Sequence, residues 1–180
     1  MEPAASQNEE TAIFAGGCFW CMEPVFDRME GVVSVTPGYT GGSTRDPSYE
    51  EVSTGESGHV EAVRVVFDPA RVSYRQLLQV FWRNIDPTTR NRQFCDFGSQ
   101  YQSAVFYLGD GQRSDAEESR RELEAASPSE RPIVTEILAA GEFYPAEEYH
   151  RQYYKKNPQR YKTYHDGCGR KSRLKELWGE

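Results

Sequence analysis

The stretch TAIFAGGCFWCME spans residues 11–23 and joins two kinds of local structure. Its first five residues, Thr11–Ala15, are mostly apolar and predict a short buried strand that ends at Gly16-Gly17. A helix is predicted to follow over Phe19–Met29, with Cys18 between the glycines and the helix. The stretch therefore predicts a strand that passes through two glycines into a helix, with a cysteine at the junction.

Cys18 lies where a helix leaves backbone N–H groups unpaired and where the helix dipole is positive. Both effects stabilise a thiolate, so they predict a lowered pKa for Cys18 and a role as nucleophile. The alternative is a buried, inert cysteine with Phe19 and Trp20 as core aromatic residues, which is the commoner situation for a free cysteine. The two preceding glycines and a second cysteine, Cys21, favour the reactive interpretation.

The four cysteines of the chain are too few for a disulfide-scaffolded miniprotein. The spacing Cys18-x-x-Cys21 is typical of dithiol oxidoreductases and also of one half of a zinc site. The other half of a zinc site is missing, because Cys95 and Cys168 stand alone and the three histidines have no ligand spacing with them. The cysteines therefore predict redox chemistry without a metal.

The 180 residues carry 21 Lys and Arg against 28 Asp and Glu, a formal net charge of −7. The length predicts a single domain over residues 1–180. The acidic balance argues against nucleic-acid binding, and no apolar run is long enough to cross a membrane. Residues 1–10 are polar and lack the parts of a secretory signal, so we expect a flexible N-terminus and a cytoplasmic location. A chain whose signal had been removed would look the same.

The clearest strand is predicted over Val60–Phe67. Because side chains alternate along a strand, Glu61 shares a face with the apolar Val63, Val65 and Phe67. An acidic residue on an apolar face is a candidate for a raised pKa. The alternative, a carboxylate at the strand end that turns to solvent, is the one that the residues alone favour.

The most regular helix is predicted behind Ser73–Gln76, which has the form of a capping box. Its apolar positions follow one helix face, at Tyr74, Leu77, Leu78, Phe81, Trp82 and Ile85. Strands interleaved with helices predict an α+β fold in which helices cover a sheet. After Pro158 the sequence has little periodicity and predicts mostly coil.

Several sequence blocks follow one another along the chain and together cover roughly residues 12–158. They are Gly-Gly-Cys18-Phe19-Trp20-x-x-Glu23, Gly38-Tyr39 with Gly41-Gly42, Tyr49–Gly55 leading to Gly58–Val63, Phe81-Trp82 through Asp86–Thr88, and Asp96–Ala104. In this order they resemble the A-type peptide methionine sulfoxide reductases.

The resemblance implies a two-layer α/β sandwich with a ferredoxin-like mixed sheet and a coil-rich C-terminal segment. It also implies reduction of the S epimer of methionine sulfoxide, free or in proteins, without a cofactor. Cys18 matches the nucleophile of the family, which becomes a sulfenic acid. Glu61 matches the catalytic acid, and burial would raise the pKa of its carboxyl into the range of a proton donor.

Further site residues follow from the same match. Tyr49 and Tyr101 match the two hydroxyl donors to the sulfoxide oxygen, in the manner of an oxyanion hole. Phe19 and Trp20 match the aromatic walls around the substrate methyl group. Asp96 matches a polar residue that bonds the substrate backbone or supports a tyrosine.

The sulfenic acid must be resolved by a second thiol. Cys168, between two glycines in a tail over residues 159–180 that we expect to be mobile, is the favoured resolving residue. Cys21, where the family often has glycine, and Cys95 remain alternatives, and Cys21 is also a candidate relay. The disulfide formed would be reduced by thioredoxin, and we expect a monomer with no nucleic-acid or membrane partner.

Two rival functions remain open from the residues. One is a dithiol–disulfide oxidoreductase that uses Cys18 and Cys21. The other is a module that binds oxidised methionine without turnover, which would need an unreactive Cys18.

Overall fold

The structure is a computed structural model that describes residues 8–126 and 131–179. The predicted flexible residues 1–10 fall largely outside this range, and Glu10 already belongs to the first strand. The strands are β1 (Glu10–Ala15), β2 (Val32–Thr40), β3 (Val60–Phe67), β4 (Arg92–Gln93), β5 (Asp96–Phe97), β6 (Ala104–Tyr107), β7 (Glu136–Ala139) and β8 (Phe143–Pro145). The helices are α1 (Phe19–Asp27), α2 (Tyr49–Ser53), α3 (Tyr74–Arg83), α4 (Asp110–Ala126), α5 (Tyr153–Lys156), α6 (Pro158–Gly167) and α7 (Arg170–Trp178). Short 3₁₀ turns lie at Ser99–Tyr101 and Glu148–His150.

Within the described residues, six strands form one sheet in the order β7-β6-β1-β3-β2-β8. β6 and β7 run parallel, and the other neighbours are antiparallel. The predicted mixed sheet and the α+β class are therefore confirmed. None of the described helices is both long and apolar enough to span a bilayer.

The central strand β3 separates two apolar clusters. Val63 and Phe67 belong to the main core beneath α1 and α3, whereas Val60 and Ala62 pack in a smaller cluster on the opposite face. The predicted alternation is therefore confirmed, and Glu61 lies on the main-core side with only 3% of its surface exposed. The alternative of a carboxylate turned to solvent is wrong.

Helix α3 has the predicted cap and the predicted face. Ser73 and Gln76 form a reciprocal capping box, in which each side chain accepts from the other residue's backbone N–H. The buried residues of α3 are Tyr74, Leu77, Leu78, Phe81 and Trp82. Regular apolar spacing therefore predicts both where this helix begins and which side it buries.

Strand β2 extends through Pro37-Gly38-Tyr39-Thr40, although glycine beside proline is more typical of a turn. Pro37 pairs with β3 but lies just outside the residues that pair with β8, where a missing N–H is tolerated, and its carbonyl accepts the N–H of Ala146. Glycine is required by crowding, since a Cβ at Gly38 would lie 2.4 Å from the Tyr144 carbonyl oxygen. The close approach of β8 explains residues that, taken locally, resemble a turn.

The C-terminal segment is helical, so the prediction of coil after Pro158 is wrong. Pro158 begins α6 at a position where a missing N–H costs nothing. Periodicity missed both helices because no residue of α6 is buried and α7 buries only Arg170 and Leu177. A buried carboxylate, Glu23, ties this segment to α1 by accepting the Gln152 N–H at 2.7 and 3.0 Å.

We expect Gly38→Ala to destabilise the protein by about 1–3 kcal/mol, because the added methyl must push β8 away from β2. The matched control is Gly111→Ala in α4, where a Cβ meets nothing within 4 Å. Alanine there should be neutral or stabilise by up to about 1 kcal/mol, because it favours helix. Urea denaturation measures both, and equal stability of the two variants would contradict the crowding at β8.

Candidate active site

Cys18 occupies the N-cap of α1, directly after Gly16-Gly17. Gly17 has a φ of +85°, which glycine adopts without strain, and a Cβ there would lie 2.5 Å from Gln93. The Cys18 carbonyl accepts the N–H of Cys21 at 3.1 Å, which begins the helix. The glycine turn therefore delivers a cysteine, 5% exposed, to the N-terminus of α1.

Glu61 reaches from β3 to the same helix end. The Phe19 N–H donates to Glu61 Oε1 at 3.1 Å. Burial raises the pKa of Glu61 from 4.5 to about 8; the Phe19 N–H opposes the shift, and the charge of Asp96 adds to it. The carboxyl is thus protonated at neutral pH and held beside the residue that follows Cys18.

Burial raises the pKa of Cys18 well above its ordinary value, and its hydrogen bond with Cys21 and the charges of Glu61 and Asp96 add to the shift. The predicted lowering of the Cys18 pKa is therefore wrong, because burial and facing acids outweigh the helix dipole. The pKa of Cys21 is instead lowered, first by its hydrogen bond with Cys18 and further by the Arg170 guanidinium. The two thiols are therefore hydrogen-bonded neighbours whose titrations depend on each other.

Tyr49 and Tyr101 come from separate segments to the surroundings of Glu61. Tyr49 is the first residue of α2, and Tyr101 ends a 3₁₀ turn. Burial raises the pKa of both hydroxyls, with the charges of Glu61 and Cys18 among the further causes. Both phenols therefore stay protonated and can donate hydrogen bonds close to these two groups.

The two predicted aromatic walls differ in burial. Phe19 is 1% exposed and packs against Tyr39 and His150, with ring centroids 5.7 and 5.1 Å away. Trp20 is half-buried, stacks on Tyr153 at 3.9 Å, and donates from Nε1 to His150 Nδ1 at 3.0 Å. Trp20 therefore offers the accessible aromatic surface, and Phe19 lies in the floor beneath it.

Asp96 is half-buried in β5, where the Tyr164 hydroxyl donates to its Oδ2. Its neighbour Cys95 forms a disulfide with Cys168, with the two Cα atoms 4.9 Å apart. These two sulfurs and Asp96 form a cluster with ligand spacing, but sulfurs bonded to each other are not two free metal ligands. Cys18 and Cys21 are free buried thiols. The sequence offers Cys95 only as an alternative resolving residue and does not pair it with Cys168, so this disulfide is a new finding.

Several residues around the site escape sequence reasoning. Glu147 accepts the Tyr39 hydroxyl at 3.1 Å and the Tyr49 N–H at 3.2 Å. Together with His150 it fixes the site from the C-terminal side. The available signal is aromatic density without helical periodicity, at Tyr149, Tyr153, Tyr154, Tyr161 and Tyr164.

A family model described as peptide methionine sulfoxide reductase matches residues 10–180. The chain belongs to this family. The peptide methionine sulfoxide reductase MsrA of Bacillus licheniformis is 49% identical over 174 residues, covering 97% of this chain and 96% of that protein. The MsrA of Bacillus subtilis is 48% identical over 174 residues, covering 97% and 98%. The predicted family and the predicted enzyme class, a reductase of peptide methionine sulfoxide, are confirmed.

Solved structures agree with this assignment of the reductase family. Methionine sulfoxide reductase A of Corynebacterium diphtheriae superposes with a TM-score of 0.77 at 37% identity, covering 86% of this chain and 77% of that one. Reduced Mxr1 of Saccharomyces cerevisiae superposes with a TM-score of 0.81 at 31% identity, covering 87% and 90%. The reductase fold therefore spans most of the chain.

The raised pKa of Glu61 predicts that the free energy of unfolding falls as the pH rises. A neutral buried carboxyl contributes its full stability below pH 4.5 and loses it as pH rises through about 8. Relative to Glu61→Gln, the wild type should lose up to about 5 kcal/mol of unfolding free energy between pH 4.5 and 8.5. Urea denaturation across this range measures the difference, and a constant difference between the two proteins would refute the shift.

Proposed function

We propose that the chain reduces the S epimer of methionine sulfoxide, free or in proteins, with Cys18 as nucleophile and Glu61 as proton donor. The observation that carries this proposal is the 3.1 Å bond from the Phe19 N–H to the Glu61 carboxyl. It holds a neutral acid at the helix end where Cys18 lies. A nucleophile beside a proton donor is the arrangement that attack on a sulfoxide requires.

The proposed first step transfers one oxygen atom. The Cys18 sulfur attacks the sulfoxide sulfur while the Glu61 proton passes to the sulfoxide oxygen. Attack forms a bond between the two sulfurs, and the substrate oxygen becomes a hydroxyl. The hydroxyl then passes to the Cys18 sulfur, so the substrate S–O bond and the S–S bond both break, methionine leaves, and Cys18 keeps the oxygen as a sulfenic acid. The thiol proton of Cys18 replaces the one that Glu61 donated, so the acid is ready again.

The substrate oxygen would be bound by the hydroxyls of Tyr49 and Tyr101, which stay protonated near Glu61. The methyl group would lie against Trp20 above the Phe19 floor. Asp96, engaged by the Tyr164 hydroxyl, would hold that tyrosine rather than bind substrate directly.

We propose that Cys21 resolves the sulfenic acid first and that Cys168 acts second. Cys21 lies one helical turn from Cys18, and the two thiols are joined by a hydrogen bond. The Cys21 thiolate would attack the Cys18 sulfur, expel hydroxide and form a Cys18–Cys21 disulfide. Cys168 would then attack that disulfide, and Cys95 would complete the exchange. This order differs from the sequence-based preference, in which Cys168 resolves first.

The exchange leaves a Cys95–Cys168 disulfide, and Cys95 is exposed. Thioredoxin is the proposed reductant, because one structural neighbour is Mxr1 of Saccharomyces cerevisiae in complex with Trx2. For Cys168 to reach the active-site disulfide, the segment over residues 159–180 must move as a tail. Monomeric state, a single domain and a cytoplasmic location stay predictions.

Cys18→Ser should abolish methionine release, because serine cannot take up the oxygen. The matched control is Cys21→Ser, which should still release about one methionine per enzyme in a single turnover without reductant. Released methionine is measured by chromatography after rapid quenching. Turnover by Cys18→Ser would refute the assignment of the nucleophile.

Glu61→Gln should slow the single-turnover rate by about 10²–10⁴-fold, because the general acid is lost. Glu51 is an exposed carboxylate on α2, so Glu51→Gln makes the same chemical change away from Glu61. Its single-turnover rate should stay within twofold of wild type. A near-normal rate for Glu61→Gln would reject the acid role.

The proposed transfer of the disulfide from Cys18–Cys21 to Cys95–Cys168 predicts how many methionines each enzyme molecule releases. Fully reduced wild type should release about two methionines per enzyme without reductant. After the first turnover the disulfide passes to Cys95 and Cys168, so Cys18 and Cys21 are reduced again and can complete a second turnover. Cys168→Ser should release about one and stop, with Cys18–Cys21 as the disulfide found by peptide mapping. A persistent sulfenic acid in Cys168→Ser would instead show that Cys168 resolves first.

A further inference from the structure

A half-open cavity of about 430 Å³ lies beside Cys21, lined by residues of α1, α3, α6 and α7. We call it the Cys21 cavity. The basic side chains on its wall are Arg28, Arg83, His165, Arg170 and Lys171. Among the residues that the structure describes, no Asp or Glu lines it. A wall of this kind in a chain of net charge −7 indicates an anion as occupant.

Arg170 is the buried cation of this wall, with only 4% of its surface exposed. Its Nη1 donates to the Asn84 carbonyl at 2.7 Å, its Nη2 donates to the Gly16 carbonyl at 3.4 Å, and its guanidinium lies over the Phe94 ring. Its Nε is buried without a hydrogen-bond partner in the protein. Burying a cation and a free donor is costly, so a ligand that accepts from this guanidinium would be bound favourably.

Trp178, whose indole Nε1 is buried without a partner, lines this cavity and also a neighbouring one. Trp178 and Tyr161 supply apolar surface between the cations. The volume is that of a pocket for a small molecule rather than for a protein loop. The occupant is therefore a small anion with some apolar body.

The cavity also contains a reactive atom. Cys21 forms part of the wall and is 3% exposed, so a protein reductant cannot reach its sulfur from outside, but a small molecule in the cavity can. Arg170 interacts with the Cys21 thiol and would also attract an incoming thiolate. Cys18 is not part of this wall, so an attack from here reaches the Cys21 sulfur.

We propose that the Cys21 cavity binds a small thiol bearing a carboxylate or sulfonate, which reduces the Cys18–Cys21 disulfide directly. This inference rests on the proposed function, in which that disulfide forms. It adds a route for resetting the nucleophile that bypasses Cys95, Cys168 and a protein reductant.

The chemistry balances with two thiols. The first thiolate attacks the Cys21 sulfur, the bond to Cys18 breaks, and Cys18 leaves as a thiolate that takes a proton. Cys21 then carries a mixed disulfide with the small molecule. A second thiolate attacks the sulfur of that molecule, releasing the oxidised small disulfide and the Cys21 thiolate, so two thiols supply both electrons.

The test uses two probes of similar size that differ in charge, 2-mercaptoethanesulfonate and 2-mercaptoethanol. A Cys95→Ser/Cys168→Ser protein is oxidised with diamide, so that the Cys18–Cys21 disulfide forms without sulfoxide turnover. Quenched samples are alkylated and mapped by mass spectrometry at 150 mM salt. Per thiolate, the sulfonate should react at least tenfold faster and should give its mixed disulfide on Cys21.

Charge reversal on the wall supplies the matched comparison. Arg28→Glu/Lys171→Glu should reduce the sulfonate advantage to less than twofold and leave the first methionine release unchanged. Arg160→Glu/Lys162→Glu reverses two charges on α6 away from the cavity wall and should keep the advantage. At 150 mM salt the effect of an exposed charge fades over about 8 Å. Charges on the cavity wall should therefore affect a bound probe more than charges off the wall.

Equal rates for the two probes, an equal loss in both charge-reversal proteins, or a mixed disulfide on Cys18 would overturn the inference. If the serine double variant fails to fold, the unsubstituted chain is used, with the Cys95–Cys168 disulfide monitored separately. A fast sulfonate reaction in a protein that releases no methionine would retain the cavity as a thiol site and reject the proposed function instead.

Discussion

The hydrogen bond from the Phe19 N–H to the Glu61 carboxyl is the interaction on which the site depends. It joins the N-terminus of α1 to the central strand β3, so the backbone that positions Cys18 also positions the acid. A carboxyl with 3% exposure would be costly as an anion, and the single N–H bond is too weak to hold it ionised. The same burial that gives the fold its core therefore gives the site a proton.

Regular elements predict where this centre lies, but the residues alone favour a solvent-facing Glu61, and only the family resemblance makes it a buried acid. Alternation along Val60–Phe67 puts Glu61 on the core face, and the strand, glycines and helix put Cys18 at a helix start. Sequence could not predict the pKa of Cys18, because local helix geometry does not show how deeply the thiol is buried or which acids face it. Spacing along the chain also could not pair Cys95 with Cys168 across 73 residues.

The main error of the sequence-based prediction concerns the C-terminal segment, which also supplies many of the contacts around the site. Tyr153 and His150 contact Trp20, and the Tyr164 hydroxyl donates to Asp96. Arg170 donates to the Gly16 carbonyl, two residues before Cys18. These contacts come from single polar or aromatic side chains rather than from an apolar stripe, so no period of 3.6 residues is present to detect. The helices of this segment are stabilised by tertiary contacts with the rest of the protein, and their own sequence does not reveal these contacts.

The Cys95–Cys168 disulfide closes a loop across 73 residues, which holds β6, α4, β7 and β8 within one covalent ring. In the chain-entropy description, such a ring stabilises the folded state by about 4 kcal/mol relative to the open chain. Each cycle of the enzyme would open and close this ring, so the resistance of the protein to unfolding would rise and fall with its own turnover. Oxidation of Cys95 and Cys168 would therefore favour the form that resists unfolding more, and reduction the form that resists it less.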